Sequence, residues 1–199
     1  MSVRRRLSGW VAFAALASGC GASAPAGGPQ VVPVRVAIDG LAPEVATGVA
    51  AGDGRVVTVA HALSGGHAVS VAGRPARVLR IDRRLDLALL AVPGLRAPDV
   101  ALGGGGHRVT VGVLRHGRVH RLDGRIRRHV VIRWRDQPGD PPRVRPGLEL
   151  AARVEPGDSG APLLDARGRL LGVLFARSGD RDDTAWAVDA SAVWTVLDR

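Results

Sequence analysis

The chain contains no lysine, no asparagine and no tyrosine, a single cysteine, and only 3% aromatic residues. One thiol, Cys20, excludes an intrachain disulfide framework, so any fold downstream of it must be held by its own core. The shortage of aromatic side chains removes the platform on which unpaired bases stack. Because the arginines are scattered along the chain rather than gathered in one stripe, a nucleic-acid partner is not expected. After the first twenty residues no run of 18 or more apolar residues occurs, which leaves no candidate for a membrane-spanning helix there.

What is present begins with an export pattern. A basic start, Arg4-Arg5-Arg6, precedes the apolar stretch Trp10-Val11-Ala12-Phe13-Ala14-Ala15-Leu16 and the small residues Ala17-Ser18-Gly19, so residues 1–20 read as a signal peptide. Cys20 resembles the lipobox cysteine of bacterial lipoproteins, to which a diacylglyceryl membrane anchor is attached. The other reading is an ordinary secretory signal with an incidental cysteine, since Ala17 stands where leucine is commonest. The expected location is the outer face of the bacterial cell membrane or the periplasm as a lipoprotein, otherwise secreted. Residues 21–33, with Ala24-Pro25-Ala26-Gly27-Gly28-Pro29, have no periodicity and read as a flexible tether.

The formal net charge is +10, and Arg4, Arg5 and Arg6 supply three of those charges. A chain heavy in Ala, Gly, Arg, Val and Pro has the composition of GC-rich coding sequence, so much of the arginine is compositional. A solvated, mildly basic face is the default expectation, and attraction to anionic headgroups is the consequence for a tethered protein.

From Val31 onward, short runs rich in Val, Leu and Ile alternate with Gly, Pro and Asp, the rhythm of an antiparallel β protein. Residues 34–199, about 165 in number, suffice for one large or two small closed β units. A first unit, about 34–103, would use runs starting with Val31–Ile38 and ending with Leu87–Val92. A second, about 107–188, would use Arg108–Leu114, Arg118–Leu122, Arg125–Trp134, Leu148–Val154, Ala161–Leu164, Leu170–Ala176 and Ala185–Val188. Gly103-Gly104-Gly105-Gly106 is the expected link, and 189–198 the expected closing helix. Gln137-Pro138-Gly139-Asp140-Pro141-Pro142-Arg143 is too proline-rich for a central strand.

Three segments carry chemistry. Val56-Val57-Thr58-Val59-Ala60-His61 ends on an imidazole, Asp86 opens the apolar run Leu87-Ala88-Leu89-Leu90, and Glu155-Pro156-Gly157-Asp158-Ser159-Gly160-Ala161-Pro162-Leu163 presents a serine between glycines. A serine hydroxyl is a poor nucleophile at neutral pH, and it needs an imidazole to take its proton and a carboxylate to orient that imidazole. The N–H groups of Gly157 and Ser159 are the expected oxyanion donors, which requires the unusual backbone that glycine permits. Asp158 adjoins Ser159 and cannot also orient a histidine from its far side. Asp82 is the alternative to Asp86 but reads as a turn residue. His116 and His120 are four apart, yet no carboxylate or cysteine has matching spacing, so no metal site is expected.

With these segments in the order His, Asp, Ser, the sequence resembles the chymotrypsin-fold (trypsin-like) serine peptidases. Thr58-Val59-Ala60-His61 parallels their Thr-Ala-Ala-His block, Asp86-Leu87-Ala88-Leu89-Leu90 their Asp-x-Ala-Leu-Leu block and Gly157-Asp158-Ser159-Gly160 their serine block. Val154-Glu155-Pro156-Gly157-Asp158-Ser159-Gly160 and Gly172-Val173-Leu174-Phe175-Ala176-Arg177-Ser178 are similar to the bacterial branch, of HtrA-like and mycobacterial acid-resistance periplasmic serine protease type. Ala161 departs from the pattern, standing where a second glycine is usual.

The resemblance implies an all-β fold of two six-stranded antiparallel β-barrels with a short C-terminal helix and a catalytic cleft between the barrels. It implies His61, Asp86 and Ser159 as catalytic, Gly157 and Ser159 as the oxyanion hole, and Arg153, Phe175, Ala176 and Arg177 as substrate-binding. No cofactor follows, the partner is a protein or peptide substrate, and oligomeric state is left open. Arg153, six before the serine, would lie at the base of the specificity pocket and admit acidic side chains. A preference for cutting after arginine would threaten this arginine-rich chain itself. The expected activity is that of an extracytoplasmic serine endopeptidase acting through an acyl-enzyme. A non-catalytic peptide- or envelope-binding module on the same fold, or an esterase using the same triad, are the other readings.

Overall fold

The computed structural model describes residues 29–134 and 142–197. The signal segment, Cys20 and most of the tether lie outside the described residues, as does most of the proline-rich loop. Within them, the aliphatic runs pair as antiparallel strands whose inward faces bury Val, Leu and Ala. β1 (Val31–Ala37), β2 (Glu44–Ala50), β3 (Arg55–Val59), β4 (Ala68–Val71), β5 (Arg74–Asp82) and β6 (Leu87–Ala91) close one barrel in the order β1-β2-β3-β6-β5-β4. β7 (Arg108–Arg115), β8 (Arg118–Trp134), β9 (Arg143–Ala151), β10 (Pro162–Leu164), β11 (Leu170–Arg177) and β12 (Thr184–Asp189) close another in the order β10-β11-β12-β9-β8-β7. A single short helix, α1 (Ala190–Leu197), ends the described chain. Closure leaves neither sheet with a free edge, and the architecture is the expected two six-stranded barrels.

Seven runs were expected in the second barrel and six strands form, because Arg118–Leu122 and Arg125–Trp134 are one 17-residue strand. Its first half pairs with β7 and its second with β9, with Arg125 shared. Asp123-Gly124, which falls between those two expected runs, is instead the corner of this strand. A Cβ on Gly124 would lie 3.1 Å from Val109 Cγ2 and 3.3 Å from the Ala151 carbonyl, a tight fit that would press on both neighbouring strands. β9 begins at Arg143 rather than Leu148, and Pro146 sits within it opposite Val131. His116 and Gly117, both at positive φ (51° and 74°), make the two-residue hairpin turn that joins β7 to β8.

Val34, Val49, Val57, Leu87 and Leu90 are central to the first core, and Val111, Leu148, Leu150 and Leu163 to the second. The chain passes between barrels through residues 92–107, where Leu102 bridges to Leu170. Although α1 follows the last strand of the second barrel, Ala192, Val193 and Val196 bury into the first barrel's core together with Leu170, Val173 and Val188. The helix is therefore an apolar seam between the halves that carry the site.

Candidate active site

The register of β3 against β6 creates half of the site. Val59 pairs with Leu87, so His61, just beyond β3 in a 3₁₀ turn (His61–Leu63), arrives beside Asp86, just ahead of β6. His61 Nδ1 lies 2.8 Å from Asp86 Oδ2, and the His61 backbone N–H donates to Asp86 Oδ1 at 2.9 Å. The Ala60 N–H donates to the Asp86 carbonyl at 3.0 Å. Asp86 has φ +58°, a left-handed conformation that a non-glycine residue keeps only where its surroundings over-determine it; these three bonds do so. With Nδ1–H donated to the carboxylate, the neutral ring carries its lone pair on Nε2, the form a general base needs. Asp82, the alternative carboxylate, accepts the Leu85 N–H at 2.9 Å and closes the turn before Asp86.

The Asp86 hydrogen bond holds the His61 imidazole above its ordinary value of 6.5. Partial burial and the positive charge of Arg145 pull the other way, while Glu44 adds to the upward push. Arg145, on β9, reaches across from the second barrel. Its Nη1 donates to the Leu85 carbonyl at 2.8 Å and lies 3.6 Å from Asp86 Oδ2, and the side chain is 5% exposed. The guanidinium stacks between Trp134 and Phe175, 4.1 and 4.0 Å from the ring centroids. Burial pushes this arginine down from its usual value, opposed by Asp86, and its Nε has no partner among the described residues. Phe175 comes within reach because the β11/β12 register shifts between Leu174 and Ala176, a bulge that re-aims it.

The serine loop is assembled differently. The Asp158 N–H donates to the Glu155 carbonyl at 3.1 Å with Pro156 and Gly157 between and Gly157 at φ +93°. Pro followed by a positive-φ Gly is the pattern of a type II turn. The loop is then tied to the first barrel. Thr47 on β2 donates its N–H to the Ser159 carbonyl at 2.8 Å and its hydroxyl to the Gly157 carbonyl at 3.1 Å. Thr58 on β3 donates in turn to the Thr47 carbonyl at 2.8 Å, and both threonines are fully buried. Gly160 permits this approach: at φ +90°, a Cβ there would fall 1.7 Å from the Thr47 carbonyl oxygen. Neither the Gly157 nor the Ser159 N–H has an acceptor among the described residues.

Asp158 is 1% exposed and its carboxylate points away from Ser159's histidine side into a cationic cradle. Oδ2 accepts from the Glu155 N–H at 2.8 Å and from Arg115 Nη2 at 2.7 Å, with Arg115 Nε 3.4 Å from Oδ1. Arg115 also pairs with Glu155 at 2.9 Å, and the Asp158 bond raises its pKa further. Ala161 is fully buried in the second core, and its N–H and carbonyl are both bonded, to the Asp158 carbonyl and the Leu174 N–H. The methyl group at this departure from the family pattern is thus accommodated as core.

Of the other expected residues, Arg153 and Arg177 line one depression of about 400 Å³ with Val154, Glu155, Pro156 and Asp182. Ala176 lies half-buried on β11 between Phe175 and Arg177. No hydrogen bond to the Ser159 hydroxyl forms among the described residues; such bonds are often long before substrate arrives. Thr47, Arg115 and Arg145 were not expected at the site, and Thr58 was expected only as the start of the block that ends at His61, not as a brace of the serine loop. The threonines carried a signal, being polar interruptions in aliphatic strands. The arginines carried none in a chain with 28 basic residues.

Residues 46–173, which include His61, Asp86 and Ser159, match the family model of a trypsin-like peptidase domain. In sequence the chain is 35% identical over 180 residues to serine protease Rv3671c of Mycobacterium tuberculosis, covering 83% of this chain and 44% of that protein. It therefore spans less than half the length of that relative. A probable periplasmic serine endoprotease, DegP-like, of Pseudomonas putida is 33% identical over 110 residues, 52% of this chain and 22% of the other. The crystal structure of the active form of the M. tuberculosis Rv3671c protease superimposes with a TM-score of 0.78 at 32% identity, over 85% of this chain and 80% of that one. The HtrA-type protease AlgW with a tripeptide reaches 0.71 at 22% identity, over 86% and 60%, a likeness of fold alone. Barrel order, an Asp-bound histidine at the end of β3, a glycine-flanked serine loop and the matched segment all lead to one assignment: the chain belongs to the trypsin-like peptidase family.

Proposed function

We propose that the chain is a serine endopeptidase that hydrolyses peptide bonds through an acyl-enzyme, with His61, Asp86 and Ser159 as its triad. The two-point hold of Asp86 on His61 carries the reading, because it leaves Nε2 as the base on the ring. Ser159 attacks the scissile carbonyl as Nε2 takes its proton; the imidazolium, stabilised by Asp86, returns that proton to the leaving amine. Water then enters by the same general-base route to release the acyl group. The N–H groups of Gly157 and Ser159, free of protein acceptors among the described residues, supply the oxyanion bonds, each worth about 100- to 1,000-fold in rate. Arg153 and Arg177, with the β11 stretch Phe175–Arg177, border the substrate, though Phe175 is engaged with Arg145. No step calls for a cofactor.

Export in residues 1–20, with Cys20 lipidated, belongs to the same proposal, supported by the signal pattern and by the periplasmic relative from P. putida. The second reading is a binding module that does not cut, favoured only by the absence of a hydrogen bond to the Ser159 hydroxyl. Intact-mass labelling with a fluorophosphonate separates the two. A single adduct on wild type, lost in Ser159→Ala and in His61→Ala, is the expected result; a folded wild type that takes no adduct supports the binding module.

A further inference from the structure

Two depressions adjoin the catalytic residues, one on the histidine side and one on the serine side. The first, about 390 Å³, is lined by His61, Asp86, Arg83, Trp134, Arg143 and Arg145, among others, and by no residue of the serine loop. The second, about 400 Å³, is lined by Arg153–Pro156 of that loop, with Arg177 and Asp182, and by no residue of the first barrel. A peptide lying across Ser159 and His61 has neighbouring side chains on both sides, so both depressions border its path.

Both linings are cationic once existing pairs are set aside. On the histidine side Arg83 and Arg145 face Asp86, the one carboxylate among the described lining residues, which is bound to His61 and lies 3.6 Å from Arg145. Arg83 is exposed there and forms no ion pair among the described residues. On the serine side, Glu155 is committed to Arg115 at 2.9 Å. That leaves Asp182 as the one carboxylate against Arg153 and Arg177, both exposed and both without an ion-pair partner among the described residues. On the histidine side the one aromatic ring of the lining, Trp134, is stacked against the Arg145 guanidinium, and the serine-side lining carries no aromatic ring.

We infer that the substrate is an acidic polypeptide segment, with carboxylates on both sides of the scissile bond, read by Arg83 on the histidine side and by Arg153 and Arg177 on the serine side. A guanidinium fork matches a carboxylate with two parallel hydrogen bonds, whereas a lysine or arginine at either position meets like charge and is rejected. With Arg4, Arg5 and Arg6 of the signal segment set aside, 25 of the 28 basic residues remain against 18 acidic ones, a positive balance that steers the same class of substrate to the cleft.

This inference rests on the peptidase reading of the site, and the test separates the two. The full chain, purified in detergent, is first labelled with a fluorophosphonate; absence of an adduct defeats the peptidase reading itself. An unlabelled portion of a preparation that takes the label is then given a peptide library digested from a whole proteome, followed by matched internally quenched peptides that differ only in Glu, Gln or Lys around the observed cut. The Glu peptide is expected to exceed the Gln peptide in kcat/KM by about tenfold at low salt, the combined effect of two or three exposed ion pairs. That gap closes as salt shortens the screening length. Arg83→Glu, and separately Arg153→Glu with Arg177→Glu, are expected to lower the Glu/Gln ratio and raise the Lys peptide. Cuts without enrichment of Asp or Glu, no cuts at all by an enzyme that takes the label, or a ratio unmoved by both sets of variants overturns the inference.

Discussion

The two halves of the site are held by opposite means. His61 and Asp86 come together through strand register alone, and they bond to each other directly, by one side-chain and one backbone contact within a single barrel. Ser159 has no such local partner. Its loop depends on Thr47 and Thr58 in the first barrel and on Arg115 at the far end of β7. The proposed base is thus prepared by local geometry and the proposed nucleophile by contacts distant in sequence, such as Thr47 to Gly157, 110 residues apart. Contacts of that kind form only when both barrels have folded and docked, so the serine loop is the half more sensitive to remote substitution.

Two arginines sharpen the contrast. Arg115 serves the serine side as a charge partner, with two carboxylates in contact and its pKa raised. Arg145 serves the histidine side chiefly by packing, sandwiched by two rings, bonded to one carbonyl, with burial lowering its pKa.

The largest expected effect is on the self-contained half. Asp86→Asn keeps the shape but favours the wrong tautomer and should lower kcat by about 10,000-fold. It also removes the upward push on His61. Because catalysis needs the neutral ring, the acid limb of kcat/KM in wild type should lie above the range of a free histidine, and in the residual activity of the variant it should move to lower pH. The same raised pKa contributes stability that is fully present below the unfolded value and lost as pH rises through the folded one. A pH–rate profile whose acid limb stays in place in the variant would contradict the role of this bond.

Next in size is Arg115→Met, which strands the buried Asp158 carboxylate and should cost about 3–5 kcal/mol of stability, the usual penalty for half a buried pair. Urea titration and fluorophosphonate labelling read it together, with Asp158→Asn in the Arg115→Met background expected to recover part of the loss. Equal stability in the single variant would mean the loop does not depend on this pair.

Thr47→Val is smaller. It removes the hydroxyl bond to the Gly157 carbonyl but keeps the N–H bond to Ser159, and should cost about 1 kcal/mol. Labelling should slow more than stability falls, since the lost bond orients the oxyanion donors. Loss of stability with an unchanged labelling rate would make Thr47 a packing residue only.

The smallest expected change is from Arg145→Met, an apolar side chain of similar length set between the same two rings. Because the cation lowers the His61 pKa, its removal should move the acid limb to higher pH. Stability should fall less than in Arg115→Met, because a buried ion with an unpartnered Nε gives way to an apolar group. An acid limb that does not move would leave Arg145 without an electrostatic part in the site.

Much of the fold and the central chemistry was legible in the chain. The aliphatic runs between Gly, Pro and Asp marked the strands, because a half-buried pleat needs alternating apolar residues and its turns need residues that tolerate unusual φ. His116-Gly117 forms its hairpin turn for that reason. The break expected at residues 123–124 is not there, since Asp and Gly serve both a chain reversal and a strand corner, and only the pairing of β8 with β7 over its first half and with β9 over its second distinguishes them. Arg145 was invisible because one arginine among many has no local signature of burial.

Sequence alone determined the strand-rich element types and singled out His61, Asp86 and Ser159 as candidates, because those follow from local backbone preference and from side-chain chemistry that few residues can supply; the two-barrel class came from the family resemblance of the same motifs. Tertiary structure alone decided which threonines brace the serine loop, which arginine answers Asp158, and that Arg145 lies between two rings behind Asp86. Such roles depend on distances between segments far apart in the chain, and the packing of one barrel against the other sets those distances.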